Sequence, residues 1–400
     1  MLKIGAEEIE AAARVIRSGQ LFRYGDPKAG HPNECAKFER ELARKMGAEH
    51  ALLVTSGTAA LICALVGMEI GPGDEVIVPG YTFISTALAP LALGALPVIA
   101  EIDESLTLDP RDAEARITRR TKAIIPVHMC GLPAKLGAIM RLAKRHDLKV
   151  LEDACQAFGG FYRGKRLGSI GQVGAYSFNY FKNITCGEGG AVVTNHLATY
   201  GRALIHHDGG CGFWPHGKRL AVPYFAGSNF RASELQGAIL RVQLRRVDGL
   251  LRRTRSHKRR FMKALEGHPK LRFIEHNDLA GDCGTTVGFR FADERQSRRF
   301  ISELANLGVG ASTPIDSGRH VYSNWEPVME RRGSYHPALD AFRRVENRAS
   351  KMEYAPDMCP RTLELLRRAV FLGIGPDWRV GEVNRHLHAC EQAAESMGCS

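Results

Sequence analysis

The chain has 400 residues, 44% of them hydrophobic, and a formal net charge of +12. That length suits a large core plus a smaller second domain, and no apolar run is long enough to span a membrane. The opening MLKIGAEEIEAAARVIRSG reads as an amphipathic helix with two consecutive acids, not as a secretory leader, so a cytoplasmic protein is expected.

The ten cysteines include no CxxC pair, which argues against a zinc ribbon or redox dithiol and for reduced, packed thiols. No metal site is expected, because adjacent residues such as His206, His207 and Asp208 do not converge on one ion without unusual backbone geometry. Much of the positive charge lies in Arg241 to Arg260, with nine basic residues and one acid, Asp248. No aromatic residues interleave that run and no recognised DNA-binding module accompanies it. A solvated helix face is expected there, and no nucleic-acid partner.

Ala6 to Arg17 is predicted as a helix with the apolar Ile9, Ala13 and Ile16 on one face. Gly19 ends it, and LFRYGDPKAGHP reads as a loop whose Arg23 and Tyr24 are candidates to line a substrate site. Asn33 to Met46 is a second helix, with Phe38, Leu42 and Met46 at four-residue spacing. Ala51 to Val54 is a strand. Thr55-Ser56-Gly57-Thr58-Ala59-Ala60-Leu61 then turns into a helix, a pattern that offers free N–H groups and hydroxyls to an anion. It also fits plain capping by Ser56 or Thr58.

Strands follow at Glu75 to Pro79, Leu96 to Glu101, Lys122 to His128 and Lys149 to Glu152. The helices between them start after Phe83, at Asp109-Pro110 and at Pro133; the last has Leu136, Met140 and Ala143 facing inward. This alternation predicts an α/β fold with a mostly parallel sheet and helices on both faces. Ligands of such sheets bind beyond the carboxyl ends of strands. Asp153 sits at one such end and the 55–58 turn at another.

Beyond Asn195 a helix to about Ile205, a Gly- and His-rich loop from His206 to Pro223 and a long helix from Ala232 to about Leu265 are expected. Gly267 to Asn277 reads as a domain change, giving a large domain over 1–266 and a smaller α+β domain over 267–400. In the latter a strand is predicted near Thr286 to Phe291, a helix over Arg295 to Leu307, and a strand over Val309 to Thr313. Helices are predicted over Thr362 to Leu372 and Arg379 to Ser396.

The segment Leu151 to Asn195 carries the chemistry. It joins a strand-end acid, Asp153, to a single lysine, Lys182, followed by Gly187-Glu188-Gly189-Gly190. A lysine bound as an imine to an aldehyde cofactor needs a carboxylate for the pyridine nitrogen, a phosphate cradle and a face for the ring. Asp153, the 56–58 turn and Phe83 can supply these.

With TSGTAAL (55–61), GDEVIVPGYTF (73–83), LEDACQA (151–157), YSFNYFKNITCGEGGAVVTN (176–195) and NFRASELQGAI (229–239) in order, the chain resembles the DegT/DnrJ/EryC1/StrS family of sugar aminotransferases. These are pyridoxal 5'-phosphate enzymes of the aspartate aminotransferase fold, with a seven-stranded large-domain sheet. The resemblance implies that Lys182 carries the aldimine, Asp153 pairs with the pyridine nitrogen and Gln156 contacts the ring hydroxyl. It implies that Gly57, Thr58 and Ser177 hold the phosphate and that Phe83 stacks on the ring. It further implies that Asn229 reaches the phosphate of a neighbouring subunit, so that a homodimer shares its active sites.

The implied reaction moves an amino group from glutamate or glutamine to a keto or aldehyde sugar or a cyclitol. Where the family carries histidine at the position of Lys182 it dehydrates; a lysine favours transamination. A sugar dehydratase and a non-catalytic cofactor-binding regulator are the alternatives. LFRY (21–24), VHMCG (127–131), NITCGEGG (183–190) and HVYSNW (320–325) resemble a branch acting on an 8-oxo-3,8-dideoxy-octulosonate sugar. Arg23, Arg231, His320 and Arg319 are the residues expected to meet its carboxylate.

Overall fold

Two helices, α1 (Ala6–Ser18) and α2 (Glu34–Met46), precede the first strand, β1 (His50–Val54). Strand and helix then alternate: α3 (Gly57–Gly67), β2 (Glu75–Pro79), α4 (Ser85–Ala92), β3 (Leu96–Ala100), α5 (Pro110–Ala115), β4 (Thr121–Ile124), α6 (Leu136–Arg145) and β5 (Lys149–Asp153). A hairpin of β6 (Phe161–Tyr162) and β7 (Lys165–Arg166) leads to β8 (Val173–Ser177), β9 (Gly190–Thr194), α7 (Leu197–His207) and the 31-residue α8 (Glu234–Ala264). The remainder holds β10 (Arg272–Phe273), β11 (Thr286–Arg290), α9 (Glu294–Asn306), α10 (Glu326–Met329), α11 (Pro360–Arg368), β12 (Ala369–Gly373) and α12 (Val380–Ser396). The computed structural model describes residues 4–210, 220 and 222–397; most of the Gly- and His-rich loop expected over 206–223 lies outside them.

The large sheet has seven strands in the order β1-β9-β8-β5-β4-β2-β3. β3, β2, β4, β5 and β8 run parallel, and β9 is antiparallel to both β8 and β1. The mostly parallel α/β sheet expected from the strand–helix rhythm is therefore present. Alternation along β1 shows why both faces are covered. Leu52 and Val54 join one core with α3 and α4, while Ala51 and Leu53 join another with Phe38 and Leu42 of α2 and Leu240 and Leu244 of α8.

A second sheet, β10-β11-β12, packs Val287, Phe289, Val370 and Leu372 against α9 and α12. β12 corrects the expectation of a helix over 362–372. α11 stops at Arg368, and Ala369–Gly373 instead pairs antiparallel with β11 along five residues. The run LELLRRAVFLG has no Gly or Pro before Gly373 to signal a break, and its aromatic and β-branched second half packs as a strand. The strand expected over 309–313 is reduced to a single bridge between Ser312 and Phe371. Within the expected 267–400 unit, Val321, Tyr322, Trp325, Cys359 and Leu366 are buried in the core of the large sheet.

α1 turns inward a face other than that of Ile9 and Ile16. Glu8, Ala11 and Val15 are buried, whereas Ile9 and Ile16 are 67% and 60% exposed. Ala11 and Val15 meet Ala238 and Val242 of α8, and Glu8 is held there by Gln243 Nε2 (3.3 Å) and by Arg246. A paired carboxylate, not the isoleucines, fixes the docking face. The same contacts absorb part of the basic run on α8. Arg241 pairs with Glu34 and Glu41, both at 2.6 Å, and buried Lys258 pairs with Asp282.

Among the described residues no helix is long and apolar enough to cross a membrane.

Candidate active site

A cavity of about 990 Å³ opens beyond the carboxyl ends of β1, β2, β5 and β8. Gly57, Thr58, Phe83, Asp153, Gln156, Ser177, Lys182 and His320 all line it. Residues separated by more than 250 positions thus share one crevice, as strand ends of a parallel sheet allow.

Asp153 ends β5 with its side chain almost wholly buried. Thr86 donates its hydroxyl hydrogen to Oδ2 at 2.8 Å, and the Cys155 N–H donates to Oδ1 at 3.1 Å. The preceding residue, Glu152, points to the opposite face. It accepts N–H groups from Gly168 (2.8 Å), Ile170 (2.5 Å) and Gly171 (2.6 Å) and lies 3.2 Å from His128 Nε2. These bonds fasten the end of β5 beneath Asp153. Gln156 accepts the Cys130 N–H at Oε1 (3.1 Å), which leaves its amide donor side toward the cavity.

Ser56 caps α3 by accepting the Ala59 N–H at 3.0 Å, so the cap expected from the sequence is formed. The N–H groups of Gly57 and Thr58 precede the first helical hydrogen bond and have no intrahelical acceptor. Thr58 Oγ1 lies 2.8 Å from Ser85 Oγ. A Cβ on Gly57 would stand 2.8 Å from Ser177 Cβ, 3.1 Å from its Oγ and 3.2 Å from Cys155 Sγ. Only glycine lets the helix start come this close to Ser177. The result is a concave spot rimmed by N–H groups and hydroxyls, which suits a phosphate.

Lys182 is half-buried on the cavity wall, its N–H bonded to the Asn179 carbonyl at 3.0 Å. Its charge is felt at Cys130, Cys155 and His320. Burial raises the Cys130 thiol to about 11 and Cys155 well above its ordinary range, with Lys182 opposing both. Burial lowers His320, and the charge of Lys182 adds to that, so the imidazole is neutral at pH 7. The His320 ring lies 5.3 Å from that of Phe83, and its Nδ1 is 3.0 Å from the Ser317 carbonyl.

Four expected residues lie elsewhere. Arg23 is a correction. It is buried, donates to the Leu53 carbonyl at 2.9 Å and pairs with Glu39, which in turn accepts the Leu53 N–H at 2.7 Å. Its guanidinium pins the end of β1 and is not among the residues lining this cavity. Tyr24 packs edge-on to Phe22 at 5.7 Å, and Arg231 binds Asp208 at 2.9 Å and lies over Phe22. Asn229 is exposed beside them, with Oδ1 accepting the Arg231 N–H at 3.1 Å. Of the substrate-site candidates Arg23, Tyr24, Arg231, Arg319 and His320, only His320 lines the cavity of its own chain.

Several wall residues were not singled out from the sequence. Ser85 and Thr86 lie just past GYTF, where the small hydroxyls read as helix-start residues. Gly373, Ile374, Gly375, Pro376 and Trp378 reach the rim from the far end of β12. Trp378 is held by stacking on His386, 4.0 Å between ring centres. Glu188 also lines the cavity, bound to Asn179 Nδ2 at 2.8 Å.

A mostly parallel large sheet, a smaller antiparallel sheet and a lysine-bearing cavity at the strand ends define an aminotransferase of the pyridoxal-phosphate fold type I class. The chain belongs to the DegT/DnrJ/EryC1/StrS aminotransferase family, which it matches over residues 2–389, and its cofactor is pyridoxal 5'-phosphate. It is 31% identical over 404 residues to the L-glutamine:2-deoxy-scyllo-inosose aminotransferase of Streptomyces lividus, covering 94% of this chain and 92% of that one. To the dTDP-3-amino-3,4,6-trideoxy-alpha-D-glucose transaminase of Streptomyces venezuelae it is 41% identical over 272 residues, 67% of each chain. To the 3-amino-5-hydroxybenzoate synthase of Amycolatopsis mediterranei (strain S699) it is 41% identical, a match spanning 61% of that protein and 60% of this chain.

Among solved structures, S. venezuelae DesV in complex with a ketimine intermediate superposes with a TM-score of 0.78 at 32% identity, covering 97% of this chain and 94% of the other. The E. coli GDP-4-keto-6-deoxy-D-mannose-3-dehydratase superposes equally well, at 0.78, but at 19% identity, a likeness of fold alone.

Proposed function

We propose that this protein transfers an amino group from glutamine or glutamate to a keto or aldehyde sugar or a cyclitol. The observation that carries the reading is the convergence of Lys182, Asp153 and the Gly57–Ser177 cradle on one cavity. The inosose aminotransferase and the dideoxysugar transaminase among its relatives supply the substrate class. The octulosonate sugar belongs to the same class and to the same screen.

Pyridoxal phosphate, when bound, supplies an aldehyde that captures amines and a ring that absorbs the electrons of a deprotonated carbon. Gly57, Thr58 and Ser177 would hold its phosphate through N–H groups and hydroxyls. Asp153, aimed by Thr86, would keep the ring nitrogen protonated. Gln156 would donate to the ring hydroxyl, and Phe83 would cover one face of the ring. Lys182 Nζ would hold the aldehyde end and, when released as the free amine, would move the proton at the donor's Cα; positioned transfer of this kind contributes about 10²–10⁴-fold. His320, its pKa lowered by burial, lines the same cavity.

We further infer a cytoplasmic homodimer with shared sites. Phe181 and Tyr180, next to Lys182, are 80% and 53% exposed. Apolar surface of this kind at a cavity mouth calls for a covering partner. Asn229, exposed beside Arg231, is the residue offered to the neighbour's phosphate.

The test incubates holoenzyme with glutamine or glutamate and measures the 2-oxo acid released, then adds keto sugars and inososes. One equivalent of 2-oxo acid per cofactor without acceptor, and turnover with one, is the expected result. Dehydration of a sugar without any 2-oxo acid would overturn it. Mixing inactive Lys182→Ala and Asn229→Ala chains should restore activity if sites are shared; no recovery would oppose the shared site.

A further inference from the structure

A second cleft, about 810 Å³, lies in the small sheet and shares no lining residue with the cofactor cavity. Six cations line it: Lys270, Arg272, Arg290, Arg295, Arg299 and Arg368. The single acid on its wall, Asp293, is occupied as the N-cap of α9, accepting the Gln296 N–H at 2.8 Å.

Arg272 of β10 and Arg290 of β11 are direct cross-strand partners. Their neighbours in register, Phe273 and Phe289, stack in the core at 5.3 Å, so the arginines share the opposite face. Like charges directly opposite each other destabilise a sheet. No hydrogen bond or ion pair within the described residues engages the guanidinium of Arg272, Arg290 or Arg295. Glu104 feels the charge of Arg290, but Arg361 already holds it through both oxygens at 2.9 Å.

Two further arginines are already engaged. Arg299 Nη2 donates to the Ser396 carbonyl at 2.8 Å, and Arg368 Nε donates to the Phe291 carbonyl at 3.0 Å while its Nη1 pairs with Glu364. Two anchored guanidiniums beside the uncommitted forks of Arg272, Arg290 and Arg295 make a preorganised wall for an oxyanion, because guanidinium matches phosphate two bonds at a time.

We propose that this cleft is a second binding site for a small anion carrying a diphosphate. One phosphate does not offset the three unengaged guanidiniums of Arg272, Arg290 and Arg295 together with Lys270, and the cleft has room for two or more. The diphosphate of a nucleotide and free pyrophosphate offer the same chemistry here. The proposal stands apart from the transamination reading, since it uses none of its residues.

Holoenzyme is first reduced with borohydride, so that the cofactor's own phosphate occupies its cradle. It is then titrated calorimetrically at about 0.15 M salt with pyrophosphate, orthophosphate and uridine diphosphate. Pyrophosphate should bind once per chain and orthophosphate about tenfold more weakly. Uridine diphosphate equal to pyrophosphate would identify the phosphates alone as the ligand, and a tighter value would identify a nucleotide. Arg290→Glu should weaken pyrophosphate by about tenfold or more while raising Tm, because it relieves the repulsion with Arg272. Arg252→Glu, on the exposed face of α8, should leave binding unchanged.

Absence of saturable heat, or equal weakening by Arg252→Glu, would overturn the proposal. If the Arg290 variant does not fold, phenylglyoxal labelling of the native protein decides. Pyrophosphate should protect Arg272 and Arg290, and unchanged labelling of both would overturn the site.

Discussion

Thr86 Oγ1 donates to Asp153 Oδ2 at 2.8 Å, deep in the cavity wall. Because that hydrogen is committed, Thr86 can only accept from Thr82 Oγ1, 2.7 Å away. A chain of two hydroxyls therefore holds the carboxylate in one orientation, and both threonines are about 1% exposed. Thr86→Val keeps the shape and removes the donor. A hydrogen bond to a charged group is worth about 1.5–3 kcal/mol, so cofactor affinity should fall about tenfold or more. Thr86→Ser should restore most of it. Fluorescence titration of the apoenzyme with pyridoxal phosphate measures this, and equal affinity for all three proteins would contradict the role.

Gly57→Ala places a methyl 2.8 Å from Ser177 Cβ. The helix start or Ser177 must shift, which closes the phosphate cradle while leaving the distant core intact. The expected outcome is a cofactor dissociation constant raised about tenfold, equivalent to about 1.4 kcal/mol, with Tm nearly unchanged. Unaltered affinity would move the phosphate site elsewhere.

Arg23→Met leaves Glu39 buried without its partner. Breaking such a pair costs about 3–5 kcal/mol, read as a lower urea midpoint. The substrate KM of the folded fraction should stay within about twofold of the parent, since a structural loss leaves binding per folded molecule intact. A raised KM at unchanged stability would return Arg23 to the substrate site.

Much of the site is legible in the sequence because its residues sit at strand ends next to local signals. Asp153 follows an apolar strand, Gly57 opens a helix after one, and Lys182 precedes a glycine run. Their neighbourhood in space needs only the parallel sheet. Trp378 and the 373–376 turn were not legible, because they arrive from a separate sheet whose third strand reads as helix. Arg23 illustrates the opposite failure. An arginine in a Gly- and Pro-punctuated loop reads as exposed, and nothing local reveals Glu39 on the next helix. The buried face of α1 was not legible either, since partners on α8 decide which side is buried.

Two histidines set an acid limit on stability. His207 is fully buried, with Nδ1 bonded to the Leu204 carbonyl at 2.7 Å and Nε2 without a partner among the described residues. Burial holds it well below its ordinary range, with Arg23, Arg231 and His206 adding to the effect. Burial, with Lys258 contributing, lowers His276 to about 3. Both stay neutral in the folded state while the unfolded chain protonates near pH 6.5, so stability is full above that pH and falls below it. The slope is about 1.4 kcal/mol per pH unit for each histidine. Urea midpoints at pH 7.5, 6.5 and 5.5 should drop across the lower interval, and a flat profile would contradict neutral burial.

Borohydride reduction of the purified holoenzyme followed by peptide mass mapping tests Lys182 as the cofactor lysine. A pyridoxyl group should appear on Lys182 in nearly every chain and on none of the Lys182→Ala chains. A label on another lysine, or none with cofactor supplied in excess, would contradict that role.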